Sequence, residues 1–189
     1  YLILLIIYLV CGVNLQAQNY TFRNVVMSDG LSGLLVNAIY KDSEGFVWLG
    51  TDNCLDRFDG VKVRHYEFRG VDSGRKKRVN CITETADNQL WVGNGIGLWR
   101  LNRANGQLER IVPEKIDFAV NTLLPDGDIL YIGTEKGLFI QEDGQLLQVL
   151  TDRNMLAACN RIMDLCLNED KSALWLATVQ GLSLIHISE

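Results

Sequence analysis

The sequence predicts an all-β fold, a β-propeller with about three complete four-stranded blades and part of a fourth. Three observations predict it. An aromatic–aliphatic–small–polar step recurs as Trp48-Leu49-Gly50-Thr51, Trp91-Val92-Gly93-Asn94, Tyr131-Ile132-Gly133-Thr134 and Trp175-Leu176-Ala177-Thr178, and its lead aromatics lie 43, 40 and 44 residues apart. That period falls in the range of roughly 40–50 residues taken by one propeller blade. A second step precedes each aromatic: Val36-Asn37-Ala38-Ile39, Val79-Asn80-Cys81-Ile82, Val120-Asn121-Thr122-Leu123 and, in weaker form, Ile162-Met163-Asp164-Leu165. Between the two steps stands a polar turn each time, at Asp42-Ser43-Glu44-Gly45, Ala86-Asp87-Asn88, Asp126-Gly127-Asp128 and Asn168-Glu169-Asp170. Two apolar runs joined by an Asp/Asn/Gly-rich turn make a β-hairpin.

The remaining elements of each unit follow in order. A third strand is expected at Leu55-Asp56-Arg57-Phe58, Leu98-Trp99-Arg100-Leu101 and Leu138-Phe139-Ile140, ending at the turns Asp59-Gly60, Asn105-Gly106 and Asp143-Gly144. A fourth run closes the unit at 61–68, 107–112 and 145–150. Alternate side chains of a strand face opposite sides, so the lead aromatic packs its large ring against the neighbouring blade. The glycine two residues later lets sheets approach near the crowded axis. The glycine six residues after the aromatic (Gly97, Gly137, Gly181) suits a turn with positive φ. Cys54 takes that slot in the first unit, so either Asn53 adopts the left-handed conformation or the turn is built differently.

Such blades bury their faces only against one another, and propellers close at about 4–8 of them. An arc of fewer is expected to expose strand edges and apolar faces. Residues 1–17, with the run Tyr1 to Val10, read as the apolar part of a signal peptide whose start is missing, cleaved after Ala17. The run is short for a membrane span, which needs about 20 apolar residues. A lipoprotein anchor at Cys11 is discounted because Val10 precedes it. Residues 18–183 are assigned to the blades, and 184–189, which break the pattern, to a non-native tail.

A net charge of −5 argues against a nucleic-acid partner. The basic run Arg75-Lys76-Lys77-Arg78 carries no interleaved aromatics and reads as a solvated loop tip. Past the signal stand Cys54, Cys81, Cys159 and Cys166 with no Cys-x-x-Cys pair and only His65 and His186 to assist, so no zinc site is expected. Cys81 and Cys166 lie in apolar runs and are expected to be small buried hydrophobes rather than disulfide partners. The carboxylates Asp42, Glu44, Asp52, Asp56 and Asp59 show no spacing that singles out a glycosidase pair, and most stand where turns favour Asp. No catalytic, cofactor-binding or metal-binding residue is assigned, and the ligand-binding residues stay unknown. The loops around Asp52-Asn53, Asn94-Gly95, Glu135-Lys136 and Val179-Gln180 follow equivalent strands and are the places where a rim would meet a ligand.

Taken together, Asp29-Gly30-Leu31-Ser32, Val36-Asn37-Ala38-Ile39, the stretch 42–51 and Arg57-Phe58-Asp59-Gly60 resemble the two-component regulator propeller repeat, and the resemblance recurs over residues 20–183. Cys54, Tyr131, Ala177 and Ile162-Met163 depart from its pattern. The resemblance implies the periplasmic sensor region of a Bacteroidetes-type hybrid two-component histidine kinase. It implies an oligosaccharide ligand, a role in glycan utilisation, no cofactor, and a homodimeric inner-membrane parent. It also implies that the kinase, receiver, DNA-binding and membrane-spanning parts lie outside these residues. His65, in the strand-like Arg64-His65-Tyr66, is read as a solvent-facing strand residue and not a phosphoacceptor. Two alternatives stay open: an exported propeller enzyme acting on polysaccharides, and a propeller that scaffolds protein partners.

Overall fold

The computed structural model describes residues 21–71, 77–111, 116–149 and 161–187. The expected signal peptide and its cleavage point, Cys159, and Arg75 and Lys76 of the basic run lie outside these residues. The strands fall into four antiparallel sheets, each ordered as in sequence. The first holds β1 (Val36–Lys41), β2 (Val47–Thr51), β3 (Leu55–Phe58) and β4 (Val63–Tyr66), and the second β5 (Val79–Glu84), β6 (Leu90–Asn94), β7 (Gly97–Asn102) and β8 (Gln107–Ile111). The third holds β9 (Val120–Asp126), β10 (Ile129–Thr134), β11 (Gly137–Glu142) and β12 (Gln145–Gln148), and the fourth β13 (Ile162–Leu167), β14 (Ala173–Thr178) and β15 (Gly181–His186). Residues 184–186, set apart by the sequence pattern, therefore continue a paired strand.

The sheets succeed one another through their first strands: β1 lies beside β5, β5 beside β9, and β9 beside β13. This is the radial arrangement of propeller blades, with the first strand of each blade innermost. Three hydrophobic clusters fill the spaces between consecutive blades. Trp48, Leu55 and Tyr66 of the first blade meet Ile82, Val92 and Trp99 of the second. Trp91 and Leu98 meet Val120, Ile132 and Phe139. Tyr131 and Leu138 meet Ile162, Leu165 and Leu176. The lead aromatic thus occupies the same place in three successive interfaces, facing the next blade, while the aliphatic residue after it faces the preceding one.

The same alternation explains the glycine at the axis. A Cβ on Gly50 would lie 2.4 Å from Val79 Cγ1, one on Gly93 2.6 Å from Val120 Cγ1, and one on Gly133 2.7 Å from Ile162 Cγ2. Each of those neighbours begins the first strand of the next blade, so a side chain would wedge the blades apart. The recurrent asparagine adds a polar tie at the same place: Asn80 Nδ2 donates to the Val120 carbonyl at 2.8 Å and Asn121 Nδ2 to the Ile162 carbonyl at 2.7 Å.

At either end of the arc the repeat positions change environment. Val36 and Ile39 are 44% and 72% exposed, whereas their counterparts Val79 and Ile82 are 0% and 9% exposed. Trp175 is 38% exposed and Leu182 67%, against 0% for both Trp48 and Leu55. These faces were expected to be open. One expectation fails here. Cys166 is exposed, because it lies on the face of the fourth blade that no later described sheet covers. Cys81 is half-buried, and Cys54, Cys81 and Cys166 are all free thiols.

Candidate functional site

Sequential antiparallel strands put the β2–β3, β6–β7, β10–β11 and β14–β15 turns at one end of the blades, together with the connections that lead from one blade to the next. The turns are built locally by the polar residue that ends the second strand. Thr134 Oγ1 donates to the Gly137 carbonyl at 2.7 Å and accepts from the Lys136 N–H, and Thr178 repeats this with Gly181 and Gln180. Gly97, Gly137 and Gly181 close these turns with φ of 146°, 114° and 128°, as the spacing predicts.

The first blade differs. Neither Asn53 nor Cys54 takes a positive φ. Instead Thr51 Oγ1 collects the turn: it donates to the Cys54 carbonyl at 2.9 Å and accepts from the N–H groups of Asn53 and Cys54. Beyond this turn Cys54, the residue before β3, and Asp56 within it lie on one face, two residues apart, and His65 stands directly opposite Asp56 on β4. Asp56 is fully buried and receives four hydrogen bonds. Its Oδ2 accepts from the Ser32 N–H at 2.8 Å and the Ser32 hydroxyl at 2.7 Å. Its Oδ1 lies 3.2 Å from Cys54 Sγ and 2.7 Å from His65 Nδ1. Burial, reinforced by the Asp56 charge, pushes the Cys54 thiol up to about 12. The group borders a cavity of about 370 Å³ lined by Ser32, Asn53, Cys54, His65, Glu67 and Lys77. A second cavity of similar size lies against the outer strand β4, between it and the Asn105–Leu108 segment of the second blade, with Arg64, Arg69 and Gln107 in its wall.

The loop residue Asn53 therefore reaches the first cavity, while the loops around Asn94, Glu135 and Val179 do not line it. His65 is solvent-facing, as expected, but it is also tied to a buried carboxylate. The convergence of Cys54, Asp56 and His65 was missed. Its signal was present in the i, i+2 spacing on a strand and the hairpin register through Asp59-Gly60, which together put the three side chains on one face.

Two of the carboxylates that could suggest hydrolysis, Asp42 and Asp59, are engaged locally. Asp42 accepts the Trp48 indole N–H at 2.8 Å and the Phe46 N–H at 2.8 Å. Asp59 accepts from Val61 and Lys62 N–H groups in its turn. At the far end from the rim, Arg103 of the second blade lies 3.7, 3.1 and 2.7 Å from Asp42, Glu44 and Glu84, clamping the two blades together.

Residues 30–53 match the two component regulator propeller family. That stretch runs from Gly30 through the Thr51 turn, and the structure repeats its strand pair in every later blade. The two-component regulator propeller repeat is thus present at residues 30–53. Solved structures agree with this propeller over most of its length. The extracellular domain of one hybrid two-component system of B. thetaiotaomicron superposes with a TM-score of 0.73 at 21% identity, over 87% of this chain and 25% of that one. The extracellular domain of another from the same organism gives 0.66 at 27% identity, over 81% of this chain and 21% of that one. A stretch of 71 residues, 38% of this chain, is 32% identical to histidine kinase P4 of Formosa agariphila and spans 5% of that protein. The propeller described here thus spans a quarter or less of these relatives.

Proposed function

We propose that this propeller is part of the extracytoplasmic sensor of a hybrid two-component signalling protein that controls glycan utilisation, and that it is not itself an enzyme. The observation that carries the reading is the recurrence of one blade whose strand pair matches the two-component regulator propeller repeat. Extracellular domains of hybrid systems, which share the fold, support the extracytoplasmic placement, and we take the compartment to be the periplasm. The ligand is an oligosaccharide held at the rim where the inter-strand turns and the blade-to-blade connections gather, since loops on a rigid scaffold can change contacts without changing the core. The parent acts as a homodimer anchored in the inner membrane through segments outside this chain. The engagement of Asp42 and Asp59 in structural hydrogen bonds favours recognition over hydrolysis.

The test is thermal unfolding of the intact protein against a panel of oligosaccharides. A ligand at about a hundred times its Kd adds about 2.7 kcal/mol to the folded state. A concentration-dependent rise in Tm with at least one glycan is expected. No shift with any glycan of the panel would contradict the sugar-sensing role, and loss of a glycan over time would contradict the non-enzymatic reading.

A further inference from the structure

We propose that Cys54, Asp56 and His65 form a binding site for a divalent transition-metal ion, zinc(II) by its chemistry. The inference stands apart from the sensor reading and rests on the first blade alone.

The first observation is a break in the repeat. At the positions of Cys54 and Asp56 the second blade has Gly97 and Trp99 and the third has Gly137 and Phe139. Trp99 and Phe139 are core residues, 1% and 3% exposed. The first blade replaces an apolar anchor with a buried carboxylate and a turn glycine with a thiol. It then sets an imidazole across the strand pair from the carboxylate. Three changes of this kind on one face produce a donor set of sulfur, oxygen and nitrogen whose ligand atoms all lie within 4.8 Å of one another. Thiolate, imidazole and carboxylate together suit zinc(II) better than magnesium or calcium, which take oxygen ligands.

The second observation is how Asp56 is oriented. Both Ser32 donors fall on Oδ2, which fixes the carboxylate and leaves Oδ1 as the atom that faces Cys54 and His65. That is the outer-sphere support metal-binding carboxylates receive. Oδ1 accepts hydrogen bonds from the thiol and the imidazole. A cation seated among the three atoms replaces both. The imidazole proton moves to Nε2 and the thiol proton leaves to water, so one proton is released for each ion bound. Tetrahedral zinc holds such ligands about 3.3–3.6 Å apart. The observed 2.7 and 3.2 Å must therefore open by about 0.5 Å, using the same bond lengths. His65, on an exposed strand with its side chain 47% exposed, has the freedom to do this. The fourth position opens into the cavity bounded by Asn53, Glu67 and Lys77, where water completes the sphere.

The test uses the full chain, reduced and stripped of metal by a chelator. Cobalt(II) is titrated in as a spectroscopic substitute for zinc. One cobalt per chain is expected, with a thiolate-to-cobalt charge-transfer band in the near ultraviolet that zinc(II) bleaches. Cys54→Ser removes the band, His65→Gln weakens cobalt binding by more than the roughly tenfold that losing even an outer-sphere partner costs, and Cys166→Ser leaves both unchanged. Indole fluorescence verifies that each variant keeps its fold, and His65→Gln, an exposed change, serves if Cys54→Ser does not. Absence of the band in the folded parent chain overturns the proposal. So does a band that survives Cys54→Ser, or cobalt affinity that His65→Gln leaves intact.

Discussion

Replacing Gly93 by alanine tests how closely the blades approach. In an ordinary strand the change stabilises a protein by about 0.4–1 kcal/mol, because it restricts the unfolded chain. Gly93 is not in the left-handed region, so its backbone accepts alanine without strain. Its surroundings do not. The new Cβ would sit 2.4 Å from Cys81 Sγ on β5, 2.6 Å from Val120 Cγ1 and 3.0 Å from Val120 Cβ on β9. Ordinary carbon contacts lie at about 3.5–4.0 Å, so one blade must move by about 1 Å. Overpacking of this kind costs about 1–3 kcal/mol. Val120 is β-branched and anchored at the start of an inner strand, so the upper half of that range applies, and the unfolded-state gain offsets part of it. The net expectation is a loss of about 1–2 kcal/mol in urea unfolding of the full chain. Adding Cys81→Ala, which removes the nearest atom, recovers part of the loss, and the pair shows coupling of about 0.5 kcal/mol or more. Ala177, the same position in the fourth blade, already carries a Cβ, so Ala177→Gly brings no gain. A Gly93→Ala chain as stable as the parent, or more stable, would refute the packing argument.

Three other outcomes follow from the geometry. Arg103→Met removes the cation shared by Asp42, Glu44 and Glu84 and leaves two buried carboxylates; it lowers unfolding free energy by about 1–3 kcal/mol, measured by urea titration, and a neutral result removes the clamp. Burial pushes the Cys54 and Cys81 thiols up to about 12, so iodoacetamide at neutral pH modifies Cys166 first among the three described thiols, as peptide mass mapping shows, and rapid labelling of Cys54 would contradict its burial. Asp59 is held below the usual carboxylate range by the Lys62 and Val61 N–H groups. Because its folded pKa is depressed, its contribution is complete above the unfolded value near pH 4 and fades as pH falls through the folded value. Asp59→Asn therefore flattens the acid limb of the stability–pH curve below about pH 4, and an unchanged limb would count against the turn.

Most of the fold was legible because each blade repeats its own stereochemistry. The aromatic at Trp48, Trp91 and Tyr131, the following glycine, and the turn glycines Gly97 and Gly137 each answer to one physical need that recurs at a fixed spacing. Cys166 was misplaced because strand periodicity tells which face a residue takes but not whether another sheet covers that face. The polar group at Cys54, Asp56 and His65 was illegible for a related reason. Cys54 alone reads as a departure from the repeat, Asp56 and His65 read as ordinary strand residues, and only the register between β3 and β4 shows that the three coincide. The contribution of Ser32, more than twenty positions away in the chain from Asp56, depends on a loop that carries no periodic signal.

The central claim is that the lead aromatics lie between consecutive blades. Acrylamide quenching of single-tryptophan variants of the full chain, each keeping one of Trp48, Trp91, Trp99 or Trp175 with the others changed to phenylalanine, tests it most directly. Blue-shifted, weakly quenched emission from Trp48, Trp91 and Trp99 and strong quenching from Trp175 alone are expected, following exposures of 0%, 3%, 1% and 38%. Ready quenching of Trp48 or Trp91 in a chain that retains its circular dichroism would contradict the stacking of blades on which the account depends.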